Sequence, residues 1–350
     1  MQHHGNKIFI SIASYRDSEL HATLQNLVQN ATRPENLHIG VCVQDEALPI
    51  FESAILRPGG GINRYPVFFT KLNNAKVSII FMHYSQSRGA GFARHLCETR
   101  YENEDYFLQI DSHCRFIPGW DEEMIAMLES LRPLSDKPVL STYPPDYQPG
   151  EPERRADFTS RLVFKAFMPD GIVLQDSRPF QAPEPQRNCY LAGGFVFADG
   201  HYVKHVPNDP NIFFYGEEIS MAVRAYTHGY DAYTPHKILL WHHYGRSGSP
   251  KIWDDHTATA KTKGEVTHTW SERDHISKQR ILAVLGLREP LEDIYGRGLQ
   301  RSLADYTRVS GLCFQSQRIH PDVKGQKYCS FFWHHEETDE MWLEGFISPG

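Results

Sequence analysis

Asp105-Tyr-Phe-Leu-Gln-Ile-Asp111-Ser-His113-Cys-Arg-Phe116 is the stretch from which the fold is read. A short apolar run ends abruptly in two metal-ligating side chains one residue apart. Alternation along a strand puts Asp111 and His113 on one side of the backbone, with Ser112 facing away. A carboxylate and an imidazole converging at a strand's carboxyl end can hold one divalent cation.

The segments before this stretch have the same construction. Lys7–Ala13, Leu37–Val43 and Lys76–Met82 are continuous apolar, β-rich runs, as expected for strands buried on both faces. Helical patterns separate them. Leu20, Leu24, Leu27 and Val28 recur at helical spacing after a start that Asp17 or Ser18 can cap, and another helix carries Leu96 and Cys97. Strand–helix alternation predicts an α/β fold with a parallel, doubly wound sheet. Ligands of such sheets sit beyond the carboxyl ends of the strands. There the sequence places Arg16 and Asp17, Asp45, Arg88 and Gly91, and Asp111 and His113.

Further along, Gly119–Leu131 reads as a helix, Pro138–Tyr143 as a strand and Arg161–Phe167 as an edge strand. Residues 144–160 and 176–187 are proline-rich and read as loops. Leu191–Ala198 joins the double glycine Gly193-Gly194 to an apolar strand; glycines allow close backbone approach to a ligand, and equally serve a bulge. Glu217 and Glu218 open a helix, where the dipole favours them, and their place beside the other strand ends makes one a candidate acceptor for a sugar hydroxyl. Ile238–Trp241 is a strand ending in His242-His243, and residues 247–268 are polar and lysine-rich, as in a mobile loop over a site. Helices resume near 271–285 and 299–306.

The two histidines supply a third ligand. Alternation lets one of them face the metal, and His243 is chosen because it sets Arg246 three residues on, near an anion bound to that metal. A mixed carboxylate–imidazole set favours Mn2+, with Mg2+ next. Rival chemistries have less support. Arg88-Gly-Ala-Gly lacks the lysine and Ser/Thr of a Walker loop, and the first strand turn carries no G-x-G-x-x-G. A metal-dependent hydrolase needs a base beside its water, which the sequence does not single out, and a sugar-binding module needs no metal–diphosphate constellation.

The totals agree with a soluble enzyme. At 350 residues the chain is long enough for a large core. A net charge of −7 argues against nucleic acid as a partner. With no apolar run of membrane-spanning length and no signal-peptide core at the start, the expected location is cytoplasmic. The six cysteines form no C-x-x-C pair, and several lie in apolar segments, so they read as buried thiols. Trp333-His-His-Glu-Glu reads as a polar surface run.

With these residues in view, the sequence resembles the cytosolic hydroxyproline N-acetylglucosaminyltransferases and their bacterial relatives, of the Rossmann-like GT-A fold. Ile10-Ser-Ile-Ala-Ser-Tyr-Arg-Asp17, Ile110-Asp-Ser-His113 and Trp241-His-His-Tyr-Gly-Arg246 carry the resemblance. It is similar more distantly to the polypeptide N-acetylgalactosaminyltransferases, in Asp111-Ser-His113, the Ala192–Asp199 segment, the Gly216-Glu217 helix start and His243-x-x-Arg246, though Glu218 stands where that family has Asn. The resemblance implies a UDP-sugar donor, GlcNAc in the first instance, and a protein or glycan acceptor hydroxyl, hydroxyproline among them. It also implies retention of the α-configuration. It makes Asp111, His113 and His243 the Mn2+ ligands and sets Arg246 on the diphosphate. Ser14, Arg16, Asp45 and Arg94 would hold the uridine end, and Gly193, Gly194 and Glu217 the donor sugar. Arg88, Ser112 and Glu218 complete the expected substrate-binding set, with Glu217 and Arg246 as the catalytic pair. Residues 1–250 are then the catalytic domain, and 251–350 the loop and a mostly helical C-terminal extension packed on it.

Overall fold

The computed structural model describes residues 5–48, 57–62, 64–150, 152–246, 248–324 and 344–349. Strands β1 (Ile8–Tyr15) and β2 (Leu37–Asp45) flank helix α1 (Leu20–Asn30). β3 (Arg57–Ile62), β4 (Tyr65–Leu72) and β5 (Ala75–His83) follow, then α2 (Ala90–Glu98), β6 (Tyr106–Asp111), β7 (Cys114–Phe116) and α3 (Trp120–Glu129). The middle of the chain holds β8 (Pro138–Ser141), β9 (Tyr147–Gln148), β10 (Arg154–Arg155), β11 (Thr159–Phe167), β12 (Val173–Phe180), β13 (Gln186–Asn188) and β14 (Phe195–Asp199). Next come α4 (Tyr202–His205), α5 (Glu217–Thr227), β15 (Asp231–Thr234), β16 (Leu240–His242), α6 (Ile252–Asp255), α7 (Ala258–Thr262), α8 (Trp270–Val284) and α9 (Leu303–Ser310).

Among the described residues, ten strands form one sheet in the order β13-β15-β8-β14-β6-β1-β2-β5-β4-β3. Its centre, β6-β1-β2-β5, is parallel as the sequence predicts. The flanks are not. β14 runs antiparallel between β6 and β8, and β3 and β4 add an antiparallel hairpin beside β5. The β4–β5 turn is Asn73-Asn74, both at positive φ (43° and 69°), the left-handed backbone that suits a two-residue hairpin. The expected loop at 176–187 is also shorter than predicted, because β12 pairs with β11 as far as Phe180.

Alternation along β1 sends Ile8, Ile10 and Ile12 to one face and Phe9 to the other. The first face packs against Leu20, Leu24 and Leu27 of α1 and Trp120 and Met124 of α3. Leu24 is wholly buried, and its truncation to alanine would cost about 2–5 kcal/mol. On the other face, Ile219 and Val223 of α5 join Ile281 and Leu285, so the C-terminal helices share a core with the sheet. Cys42, Cys97 and Cys114 are buried free thiols, and Cys189 is buried as well. No helix among the described residues is long and apolar enough to cross a membrane. Cys329 and the Trp333–Glu337 run lie outside the described residues.

Candidate metal and nucleotide site

β6 stops at Asp111, and the chain bends through Ser112 and His113 before β7. Strand alternation therefore ends one residue too early to turn Ser112 away. Instead, Ser112 Oγ and His113 Nδ1 both meet Asp17 Oδ2, the histidine at 2.7 Å. In the tautomer that donates Nδ1–H to Asp17, the lone pair lies on Nε2, which is the arrangement of a metal-ligating histidine with its supporting carboxylate. Burial holds His113 below its ordinary imidazole range despite Asp17, so the ring favours the neutral form that can ligate. Asp17 also takes Arg246 Nη2 at 3.3 Å and Glu19 N at 3.0 Å, the latter in place of a side-chain cap on α1. Burial alone would raise Asp17; the hydrogen bond from His113 and the charge of Arg246 outweigh it and hold the carboxyl below its usual range.

β7 pairs antiparallel with β16, setting His242 opposite Cys114. This pairing decides between the two histidines. Its alternation turns His242 inward, and Nε2 comes within 3.1 Å of Asp111 Oδ2 while the ring stands 4.5 Å from that of His113. Asp111, His113 and His242 offer ligand atoms that all lie within 4.8 Å of one another. His243 points the other way, with Nδ1 3.1 Å from Tyr147 O. The expectation of His243 as the third ligand is thus corrected to His242: the spacing to Arg246 was followed where strand pairing governs.

Asp111 is braced from a second side. Arg94 Nη2 meets Oδ1 at 2.8 Å, and Arg94 Nη1 pairs with Glu217. Burial would raise the Asp111 carboxyl, but the His242 hydrogen bond and the Arg94 charge prevail and hold it well below the usual carboxylate range. The double glycine is explained by contact. A Cβ on Gly194 would lie 2.7 Å from Asp111 Oδ2, and one on Gly193 would lie 3.1 Å from Arg94 Nη1. The carbonyl of Gly193 accepts from Gln109 Nε2 at 2.8 Å, and its N–H donates to Glu218 Oε1 at 2.9 Å. Glu218 also accepts from Tyr143 and Gln175, and burial raises its carboxyl despite these bonds.

These groups border a cleft of about 360 Å³, within the range of ligand pockets. Arg94, Asp111, Ser112, His113, His242, His243 and Arg246 line it, with Tyr15, Gln44, Phe213, Phe214 and Trp253. The other expected site residues lie around it. Glu217 is buried and Glu218 half-buried behind Arg94 and Gly193, Ser14 is buried in β1, and Asp45 borders a neighbouring hollow with Arg16. Arg88 lies over the Phe92 ring, 4.6 Å from its centre. Arg16 binds Asp255 at 2.8 Å and lies 4.4 Å from the centre of the Tyr84 ring. Its backbone, at φ 45°, breaks the strand direction, so Arg16 and Asp17 reach different partners.

The polar tract after residue 247 is more ordered than the sequence implies. It forms α6 and α7, buries Ile252, His256, Ala260 and Val266, and is tied down by Asp255, which also accepts from Tyr15 Oη at 2.7 Å. Tyr15 and Asp255 were not singled out by sequence reasoning, and Asp17 was read as a strand-end polar residue and helix cap rather than as the partner of His113. For Tyr15 and Asp17 the signal lay in Ser14-Tyr-Arg-Asp17, a polar run at the end of a buried strand.

Among solved structures the fold is similar to that of GalNAc-T7 with UDP, GalNAc and Mn2+, with a TM-score of 0.50 and 12% identity over 86% of this chain and 56% of that one. The chain thus spans about half the length of that neighbour, and the likeness is one of fold. Residues 1–349 of S. aureus TarS align with a TM-score of 0.44 and 11% identity, covering 97% of this chain and 78% of that one. No curated protein matches the sequence. The family described as Glycosyltransferase (GlcNAc) matches residues 7–54 and 62–316, which include every ligand and brace of the site. The chain belongs to this family of GlcNAc glycosyltransferases.

Proposed function

We propose that the protein transfers GlcNAc from UDP-GlcNAc to an acceptor hydroxyl, on protein hydroxyproline or on a glycan, with retention of the α-configuration and with Mn2+ or Mg2+ held by Asp111, His113 and His242. The observation that carries this reading is the convergence of those three side chains in a cleft at the carboxyl end of the parallel strands. The donor set fits a divalent cation. It combines one low-pKa carboxylate with two imidazoles, one of them oriented by Asp17, and Gly194 leaves room beside the carboxylate.

A cation there supplies Lewis-acid stabilisation of the departing diphosphate. The chain's own residues do the rest. Asp17 fixes the His113 ring, Arg94 and Glu217 fix Asp111, and Arg246 faces the same anion from the cleft wall. Among the described residues, Asp111 is the single carboxylate lining the cleft, and it serves as a ligand. No carboxylate is left there to act as nucleophile, which favours same-face transfer. The bond from the sugar C1 to the diphosphate oxygen breaks as the acceptor oxygen bonds to C1, and the acceptor's proton passes to the leaving phosphate oxygen. Glu217 acts here through Arg94, as a positioning residue.

Incubation with Mn2+ and a panel of nucleotide sugars, followed by UDP quantification and mass spectrometry of candidate acceptors, tests the reading. UDP release from UDP-GlcNAc with a gain of one GlcNAc on the acceptor is expected. Hydrolysis of unrelated phosphoesters, or release that persists unchanged in chelator, would overturn it. The His113→Ala variant should lose Mn2+-dependent UDP binding.

A further inference from the structure

The cleft carries more positive charge than its carboxylates match. Arg94 pairs with both Asp111 and Glu217. Among the described residues, the guanidinium of Arg246 reaches only Asp17, which already accepts from Ser112 and His113, and Arg246 Nε is buried with no partner there. Lys251 lines the same cleft, and among the described residues no ion pair joins its ammonium. Two cations therefore face one carboxylate whose acceptor sites are in use. Burial, then the repulsion of Arg246, pulls Lys251 below its ordinary range, against the attraction of Asp17 and Asp254.

The placement of Lys251 is built into the fold. It immediately precedes α6, whose Asp255 is bound by Tyr15 and Arg16 at the end of β1. Ile252 is buried, and the Trp253 ring packs edge-on against Phe214 with centroids 5.6 Å apart. The backbone at residue 251 is thus held over the cleft from both chain directions, while the four-carbon side chain keeps its reach.

We infer that Lys251 is a diphosphate-binding cation of this cleft, paired with Arg246 and delivered by the strap that Asp255 secures. The inference rests on the UDP-sugar reading above. A UDP-sugar brings two negative charges to the diphosphate, and UDP, once released, carries more. Lys251 offsets that build-up and therefore favours UDP over uridine.

Calorimetric titration of the full chain with UDP and with uridine, in Mn2+, tests this. Lys251→Ala should weaken UDP binding by about ten- to a hundredfold, the scale of one hydrogen bond to a charged group, and leave uridine binding unchanged. Lys251→Arg should restore most of the UDP affinity. Lys251→Gln provides the neutral comparison if the alanine variant does not fold, as judged by thermal melting. Equal UDP affinity in wild type and neutral variant would make Lys251 an ordinary solvated lysine and overturn the inference. Parallel loss of UDP and uridine would mean a collapsed strap, which also overturns it. If the wild type binds neither ligand, the donor reading fails first and the inference falls with it; wild-type binding with an indifferent variant sinks Lys251 alone.

Discussion

His242 and His243 are adjacent and chemically identical, yet only His242 faces Asp111 and His113. His242→Ala should lower Mn2+-dependent UDP release by about 100-fold or more, above the range that outer-sphere changes give, and His243→Ala by about tenfold at most. Comparable losses in steady-state assays of the two variants would contradict the assignment. Gly194 is a second residue-scale test. An added methyl would lie 2.7 Å from a carboxylate oxygen whose group Arg94 and His242 already hold, so it has little freedom to yield. Gly194→Ala should therefore cost about 1–3 kcal/mol and weaken Mn2+ binding in a metal titration. Unchanged metal affinity would show that Asp111 moves freely. The candidate ligand types were legible in Asp111-Ser-His113, because a carboxylate and an imidazole follow directly on the end of a buried strand. The choice of the second histidine was not, because it depends on the partner strand's register.

At the scale of elements, the segment 250–262 shows how composition misleads. Its lysines and threonines read as a free loop, but a few buried groups and one carboxylate suffice to dock it. Asp255 accepts from Tyr15 and Arg16, both at the end of β1, and the pair is shielded enough for charge-assisted bonds to matter. Asp255→Ala should reduce the free energy of local opening of this segment by about 1–3 kcal/mol, seen as faster amide hydrogen exchange across α6 and α7 with little change elsewhere. Exchange that stays as slow as in the wild type would mean that Ile252 and Trp253 hold the strap alone. Strand β4 is another element that apolar periodicity missed; its strongest signal was the Asn73-Asn74 turn that joins it to β5.

On the scale of the whole molecule, buried polar groups on the Phe9 face of the sheet tie α2 and the connection between α4 and α5 to β6. Glu98 of α2 accepts from the backbone and side chain of Asn208, whose amide donates to Gln109 of β6, which in turn holds the Gly193 carbonyl. Burial pushes the Glu98 carboxyl up to about 7, against the Asn208 bonds. The folded state then retains a proton that the unfolded chain releases, so stability declines as pH rises from about 4.5 towards 7 and levels off above it. The span is about 3 kcal/mol. Urea unfolding at several pH values should show this slope in the wild type and a flatter one in Glu98→Gln. Identical slopes would remove Glu98 as the source.

The sequence by itself determined the layered α/β fold with its parallel centre, the strand end at which the candidate metal-ligating cluster lies, and two of that cluster's three residues. Each of these depends on patterns local to the chain: apolar runs of strand length, helical spacing, and polar residues where a buried strand must end. Tertiary structure alone decided which histidine joins Asp111, that Asp17 supports His113 rather than merely capping a helix, and that Glu217 and Glu218 brace the site from behind. It also brought Lys251 to the cleft and Asp255 to Tyr15, 240 residues earlier in the chain. Those outcomes follow from strand register and from contacts between distant segments, and register is fixed by pairing and packing across the sheet rather than by any one strand's own residues.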